Sequence, residues 1–175
     1  MAFSMYQSHV DLLNAKDDNE TIKLQGQLTE ANLGEIPKEF NRDKRIGDLG
    51  APMVFTGFGN PEATLTFESF DEEWQTEFGR LDKLVTFRVR GLLQDSLGLE
   101  ADKVLTCVMK GRAMAVPLGD VQAGDPTSWE VKLGCLYVRQ LVDNREIILY
   151  DTISRPNKYF VNGVDQLASL TALGV

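Results

Sequence analysis

His9, Cys107 and Cys135 are the residues of this 175-residue chain best suited by type to nucleophilic or metal chemistry, and the chain holds no other histidine or cysteine. Catalysis by a serine or cysteine needs a base held beside it, and a zinc site needs about four ligands, usually in close pairs. His9 sits near the N-terminus among polar neighbours, and no Ser-His-Asp or Cys-His set can be built around it. The cysteines have no C-x-x-C spacing and fall within strand-like segments, so they read as small buried hydrophobes. Gly57-Phe58-Gly59-Asn60-Pro61 has the look of a phosphate loop. It lacks the Lys-Ser/Thr pair and the following helix start that would present N–H groups to phosphate, so it reads as a turn. The acid runs Asp17-Asp18-Asn19-Glu20 and Asp71-Glu72-Glu73 lack the interleaved ligand pattern of a calcium loop. The residue types therefore point away from catalysis, cofactors and metal binding.

Charge and composition narrow the classes further. The net charge of −8 opposes nucleic-acid gripping, which needs cations to displace counterions. The same sign suits a wall that a polyanion slides past, since like charges repel within a Debye length of ~8–10 Å. The run from Lys38 to Arg45 holds Lys38, Arg42, Lys44 and Arg45, balanced by Glu39 and Asp43. It suits a solvated loop or an inter-subunit salt-bridge surface better than a nucleic-acid patch. A 43% hydrophobic, 25% charged chain of this length fits one globular domain, residues 1–175. Residues Met1 to His9 lack the basic start and apolar run of a signal peptide, and no stretch of about 18 apolar residues exists, so folding in the cytoplasm is expected.

The elements that must position these residues are mainly strands. Period-2 alternation sets Ile22, Leu24 and Gly26 against Lys23, Gln25 and Gln27, and Leu65 and Phe67 against Thr64, Thr66 and Glu68. Val85, Phe87 and Val89 oppose Thr86, Arg88 and Arg90; Leu105, Cys107 and Met109 form another such face. Trp129, Val131, Leu133, Cys135 and Tyr137 are expected to share one face of a long strand, and Ile147 to Tyr150 to form a strand covered on both sides. One helix is predicted from Phe70 through Leu81, because Phe70, Trp74, Phe78 and Leu81 share a face and three acids open it; Gly79 is placed to end it early. A further helical turn is expected at Asp165 to Leu170. Asp143-Asn144 predicts a tight hairpin, and Gly119 to Thr127 a longer exposed loop. The expected architecture is an antiparallel β-sandwich or partly open barrel with one packed α-helix. Ala31 to Pro52 has weak periodicity and is too long for an ordinary loop, which points either to a functional segment or to a mobile surface loop.

Several runs together carry a resemblance. Asp151-Thr152-Ile153, Val161-Asn162-Gly163-Val164-Asp165-Gln166-Leu167 and the closing Ala172-Leu173-Gly174-Val175 stand downstream of Val108-Met109-Lys110-Gly111-Arg112 and Gly134-Cys135-Leu136-Tyr137-Val138-Arg139. With these runs the chain resembles the major tail tube protein of contractile-tailed bacteriophages, a family shared with R-type phage-tail-like bacteriocins. The close match covers Val104 to Val175; before Leu99 only the order of elements agrees. The resemblance implies a non-enzymatic subunit of hexameric rings, stacked into a tube that conducts DNA into the host without binding it specifically. It implies sheath, tape measure, baseplate and tail terminator proteins as partners, a place in the virion tail, and no cofactor. With four strands from each of six subunits, strands ~4.8 Å apart and tilted ~40° close at a diameter of about 48 Å.

In that frame Lys23, Gln25, Gln27, Thr64, Thr66 and Glu68 are candidates to face the lumen. Thr86, Arg88 and Arg90 are expected to face outward or to pair across an interface. Residues 31–52 would be the arm reaching a neighbouring ring, with Lys38, Arg42, Asp43, Lys44 and Arg45 at the contact. Asn162-Gly163 favours a tight turn and Asp165 a cap, so Val161, Asn162, Gly163, Val164 and Asp165 form either a self-contained turn or an interface. The same tube can serve a bacteriocin or an injection system. A small-molecule carrier on a closed β-barrel is the alternative of another class.

Overall fold

The structure is a computed structural model that describes residues 3–13, 21–24, 28–42, 53–95, 101–119 and 127–168. In chain order the elements are β1 (Phe3–Leu13), β2 (Thr21–Lys23), β3 (Leu28–Asn32), β4 (Lys38–Arg42), β5 (Met53–Phe58), β6 (Glu62–Phe67), α1 (Glu72–Gly79), β7 (Val85–Asp95), β8 (Lys103–Ala113), β9 (Trp129–Val142), β10 (Arg145–Asp151), β11 (Lys158–Val161) and β12 (Val164–Asp165). All pairings are antiparallel. The main sheet runs β12-β11-β10-β9-β8-β7-β1-β2, and β6, with β3 beside it, joins the N-terminal half of β9. The path has two ends, so the sheet wraps a core without closing into a barrel.

Alternation explains which residues enter that core. Val85, Phe87 and Val89 of β7 are buried, as are Cys107 and Met109 of β8 and Leu65 and Phe67 of β6. These join Val10, Leu24, Val131, Leu133, Cys135, Val138, Tyr150 and Tyr159 in one cluster. On the opposite face the registers align Lys23, Asp11, Arg88, Val108, Arg139, Leu149, Phe160 and Asp165 as one row across the main sheet.

β9 holds two neighbours along one edge, and a bulge lets it do so. Residues 129–134 pair with β6, whereas residues 137–142 pair with β10. Between them the β8 register steps from Lys110↔Tyr137 to Gly111↔Cys135, leaving Leu136 as an extra residue. The extra residue reverses the parity of the strand. Simple alternation puts Tyr137 beside Cys135 in the core; instead Val138 is the buried residue and Tyr137 turns to the other face, over which Lys110 Nζ lies at 5.4 Å.

The helix forms where the apolar spacing and acids place it. Asp71 caps it, its Oδ1 accepting from the Glu73 N–H at 2.8 Å, and Glu72 and Glu73 occupy the first turn. Trp74 and Phe78 are buried, with the Trp74 ring stacked on Phe67 at 4.3 Å. The helix ends at Gly79, so Leu81 lies outside it and is exposed, and Phe70 precedes it.

Other expectations are refined. Part of the weakly periodic 31–52 stretch is a strand: β4 pairs with β5 as a separate two-stranded sheet. Its alternation is masked because Phe40 is its only large apolar residue and is exposed. Asp43, Lys44 and Arg45 lie outside the described residues, as do the Asp17–Glu20 acid run, Gln25, Gln27 and most of the Gly119–Thr127 loop. The β2 strand stops at Lys23, with Leu24 turned into the core. Arg88 and Arg90, expected to face outward or to meet a neighbour, both bond Asp11 Oδ2 of the same chain, at 3.0 and 2.9 Å. Asp143 and Asn144 have φ of 48° and 64°, the mirror-image turn a tight hairpin needs. Of the helical turn expected at Asp165 to Leu170, Val164–Asp165 pair with β11 as a short strand, Asp165 Oδ1 accepts from the Leu167 N–H, and Ala168 is helical; residues beyond 168 lie outside the described ones.

Candidate assembly surfaces

The C-terminal motifs act first on this chain's own backbone. Asp151, at the end of β10, is buried, and its Oδ1 accepts from the N–H groups of Ile153 and Ser154 while its Oδ2 accepts from the Ser154 hydroxyl at 2.6 Å. Burial alone would push this carboxyl up, but the Ser154 and Ile153 hydrogen bonds, aided by the Lys158 charge, hold it below its ordinary value. Thr152 then reaches back to the β9 bulge, where its N–H and hydroxyl both donate to the Leu136 carbonyl.

Asn162 and Gly163 have φ of 50° and 78°, and Val161 pairs with Val164 across them. Asp165 Oδ1 accepts from the Leu167 N–H at 2.8 Å, and the Gln166 N–H donates to the Tyr159 carbonyl. The Val161–Asp165 run is thus a complete hairpin. Asn162, Gly163, Val164 and Asp165 are nonetheless exposed at its tip, Val164 at 61%.

The β4–β5 hairpin is a second projecting feature. An aromatic chain fixes its base: Phe58 packs against Tyr150 and Tyr159, Phe55 against Phe58, and Phe40 against Phe55. Lys38 Nζ lies 5.5 Å from the Tyr159 ring. Beside it a cavity of about 340 Å³, lined in part by Leu33, Ile36, Cys107, Met109 and Ile148, opens towards the core. It adjoins the body where the 33–37 connector crosses the sheet. Gly34 is needed there, because its φ of 62° brings it so close that a Cβ would overlap the Glu62 carbonyl.

The described lumen candidates stand on two parts of the sheet, while Gln25 and Gln27 lie outside the described residues. Lys23 stands in the row with Asp11 and Arg88, on the edge strand of the main sheet. Thr64 and Thr66 stand on β6, opposite Asn32 and Glu30 on one side and Lys132 and Glu130 on the other, and Glu68 follows that strand. Pairing of Asp11 with two arginines 77 and 79 residues away has no signature in the sequence, and sequence reasoning missed it. Cys107 and Cys135 are free thiols offset from one another along β8 and β9, and burial pushes them up to about 11 and about 12. Among the described residues no group of three metal-ligating side chains converges, and no helix is long and apolar enough to cross a membrane.

Known proteins share this fold. The chain superposes with a TM-score of 0.51 and 14% identity on a chain of an extracellular contractile injection system, the PVC sheath-tube complex in its extended state, covering 78% of this chain and 88% of that one. The terminating cap of the anti-feeding prophage tube gives the same score and identity, over 81% and 91%. At that identity the likeness is one of fold. In sequence, 60 residues are 37% identical to the tail tube protein of Escherichia phage P2; the match spans 34% of this chain and about a third of that relative's length. The family model of phage tail tube protein FII matches residues 11–174, nearly the whole chain, and the chain belongs to that family.

Proposed function

We propose that the chain is the non-enzymatic subunit of a contractile tail tube, with residues 1–175 as one tube domain, assembling as hexameric rings that stack and pass DNA without specific binding. The observation that carries this is the sheet's open boundary in a chain of this family. Residues 3–9 of β1 pair only with β7 among the described residues, and an unpaired strand edge is satisfied when a neighbouring copy continues the sheet. The particle would be a virion tail built in a bacterial cytoplasm, with sheath, tape measure, baseplate and terminator proteins as partners and no cofactor. A headless bacteriocin or injection system is a close variant, and a chain of an extracellular contractile injection system shares the fold.

The lumen wall in this proposal is the four adjacent strands β8, β7, β1 and β2, with Lys23, Gln25 and Gln27 as the sequence's candidates to line it. That wall would also carry Arg88 and Arg90, against the expectation that they turn away from the channel, with Asp11 offsetting part of their charge. Thr64, Thr66 and Glu68 form the competing wall. Lys38, Arg42, Asp43, Lys44 and Arg45 of the arm and Val161, Asn162, Gly163, Val164 and Asp165 of the C-terminal hairpin are the proposed subunit contacts.

Electron microscopy of the purified protein, with light scattering of the same sample, tests the assembly. Rings or tubes of uniform width are expected; a species that stays monomeric at every concentration, even with a tail-tip complex added, would refute it. Charge reversal at Lys23 and at Glu68 then separates the walls, because the residue facing the lumen changes the ion selectivity of the tube.

A further inference from the structure

Two exposed apolar patches lie apart on one protomer, one set among acidic residues and the other on a hairpin whose sequence from 38 to 45 is net basic. The first surrounds α1. Phe70 is 58% exposed, and its ring lies 6.1 Å from those of Trp74 and Trp129. Leu118, 91% exposed, follows Pro117, whose carbonyl accepts from Gln75 Nε2 of α1 at 3.1 Å, and precedes Gly119, which abuts the Trp129 indole nitrogen. Phe70 and Leu118 therefore flank the same tryptophan. Around Phe70 stand Glu68, Asp71, Glu72 and Glu73, with no basic residue between them. Glu68, Glu72 and Glu73 are exposed and form no ion pair among the described residues.

The second patch is the β4–β5 hairpin, whose strands pair only with each other among the described residues. A lone two-stranded hairpin is marginal in water and gains from a further surface to pack on. Phe40 is 46% exposed on it, and residues 38–45 carry Lys38, Arg42, Lys44 and Arg45 against Glu39 and Asp43. The hairpin is anchored at Tyr150, which faces Val138 of β9, whereas the α1 patch gathers at Trp129. Nine residues of extended strand, ~30 Å at ~3.3 Å each, separate the two anchors. The complementarity is thus not spent within one subunit.

We propose that the β4–β5 hairpin of one copy docks on the α1 face of a copy in the adjacent ring, with Phe40 on the Phe70–Leu118 patch and the hairpin's basic charge against Glu68, Glu72 and Glu73. This rests on the stacked-ring reading above and adds to it the acceptor surface and the chemistry that fixes one ring on the next.

The test uses the full chain in two forms. In the first, Phe40→Cys and Leu118→Cys are combined and assembled tubes are oxidised; the native cysteines are buried and stay out of the reaction. A ladder of disulfide-linked species extending past the hexamer is expected, and one that stops at the hexamer would mean a contact within a ring and overturn the proposal. In the second, Glu72→Lys with Glu73→Lys should cut tube number at least tenfold while rings persist, and adding Lys38→Glu with Arg42→Glu should restore tubes. Circular dichroism checks that each variant folds. Tubes that form normally with the reversed helix and give no cross-link refute the docking but leave stacked rings standing. A wild-type protein that forms no rings refutes the stacked-ring reading, and the docking with it.

Discussion

Thr152 closes over Leu136: its N–H and its hydroxyl donate to the same Leu136 carbonyl, at 3.0 and 2.9 Å. That carbonyl belongs to the bulged residue of β9, whose extra length leaves it outside the regular ladder. Thr152→Val removes the hydroxyl and keeps the N–H and the shape. A loss of about 1 kcal/mol is expected, the net worth of one such hydrogen bond, read as a lower urea midpoint with an unchanged slope. Thr152→Ser should recover most of it.

The neighbouring Asp151 gives a pH dependence of defined sign. Its carboxyl is held below the ordinary 3.8 chiefly because the Ser154 and Ile153 hydrogen bonds outweigh the effect of burial. A depressed carboxylate contributes stability above its unfolded pKa, and that contribution is lost as pH falls through the folded value. Asp151→Asn should therefore melt lower than wild type at pH 7, and the gap should narrow as pH is taken below about 4. Equal gaps at pH 7 and pH 3 in thermal scans would contradict the assignment.

The sequence discloses those elements whose physics is local or one-sided. Val85, Phe87 and Val89 announce β7 because only one face of that strand is buried, and Asp143-Asn144 announces its turn because few residues adopt positive φ at both positions. Asp71 with Phe70, Trp74 and Phe78 marks the helix in the same way. What stays hidden depends on distant partners. The bulge at Leu136 reverses the parity of β9 only because two strands compete for one edge, so Tyr137 and Val138 exchange faces relative to simple alternation. β4 has one large apolar residue, Phe40, and it is exposed, so alternation gives little sign of that strand. At the candidate assembly surfaces the motif residues of 151–165 were legible as a resemblance, while their intrachain roles required Leu136 and Tyr159 to be placed first. Asp11 shows the limit: its bonds to Arg88 and Arg90 follow from register alone.

Cys107 and Cys135 are expected to be inert in the folded subunit. Burial raises both thiols, to about 11 and about 12, so almost no thiolate exists at pH 8. Iodoacetamide followed by mass spectrometry should find both unmodified in native protein and both alkylated in urea. Rapid native labelling of either would show that the β8–β9 face opens.

Two glycines make opposite predictions under the same substitution. Gly111 on β8 meets the bulged part of β9 so closely that a Cβ there would overlap the Gly134 carbonyl oxygen and lie 3.0 Å from the Cys135 Cα. Both obstacles are backbone, and the Cys135 N–H is itself tied to the Pro61 carbonyl at 2.7 Å, so neither moves aside without breaking pairing between β9 and its neighbours. Gly111→Ala should cost about 1–3 kcal/mol, the range of forced overpacking, and more if the bulge is lost. Gly79 ends α1 with nothing within 4 Å of its Cβ position and no positive φ. There the added methyl narrows the unfolded chain and favours helix, so Gly79→Ala should stabilise by about 0.5–1 kcal/mol. Paired denaturant titrations of the two variants against wild type decide the matter: a Gly111→Ala midpoint at or above wild type would show that the close β8–β9 approach does not govern stability, and a Gly79→Ala midpoint below wild type would contradict the helix argument.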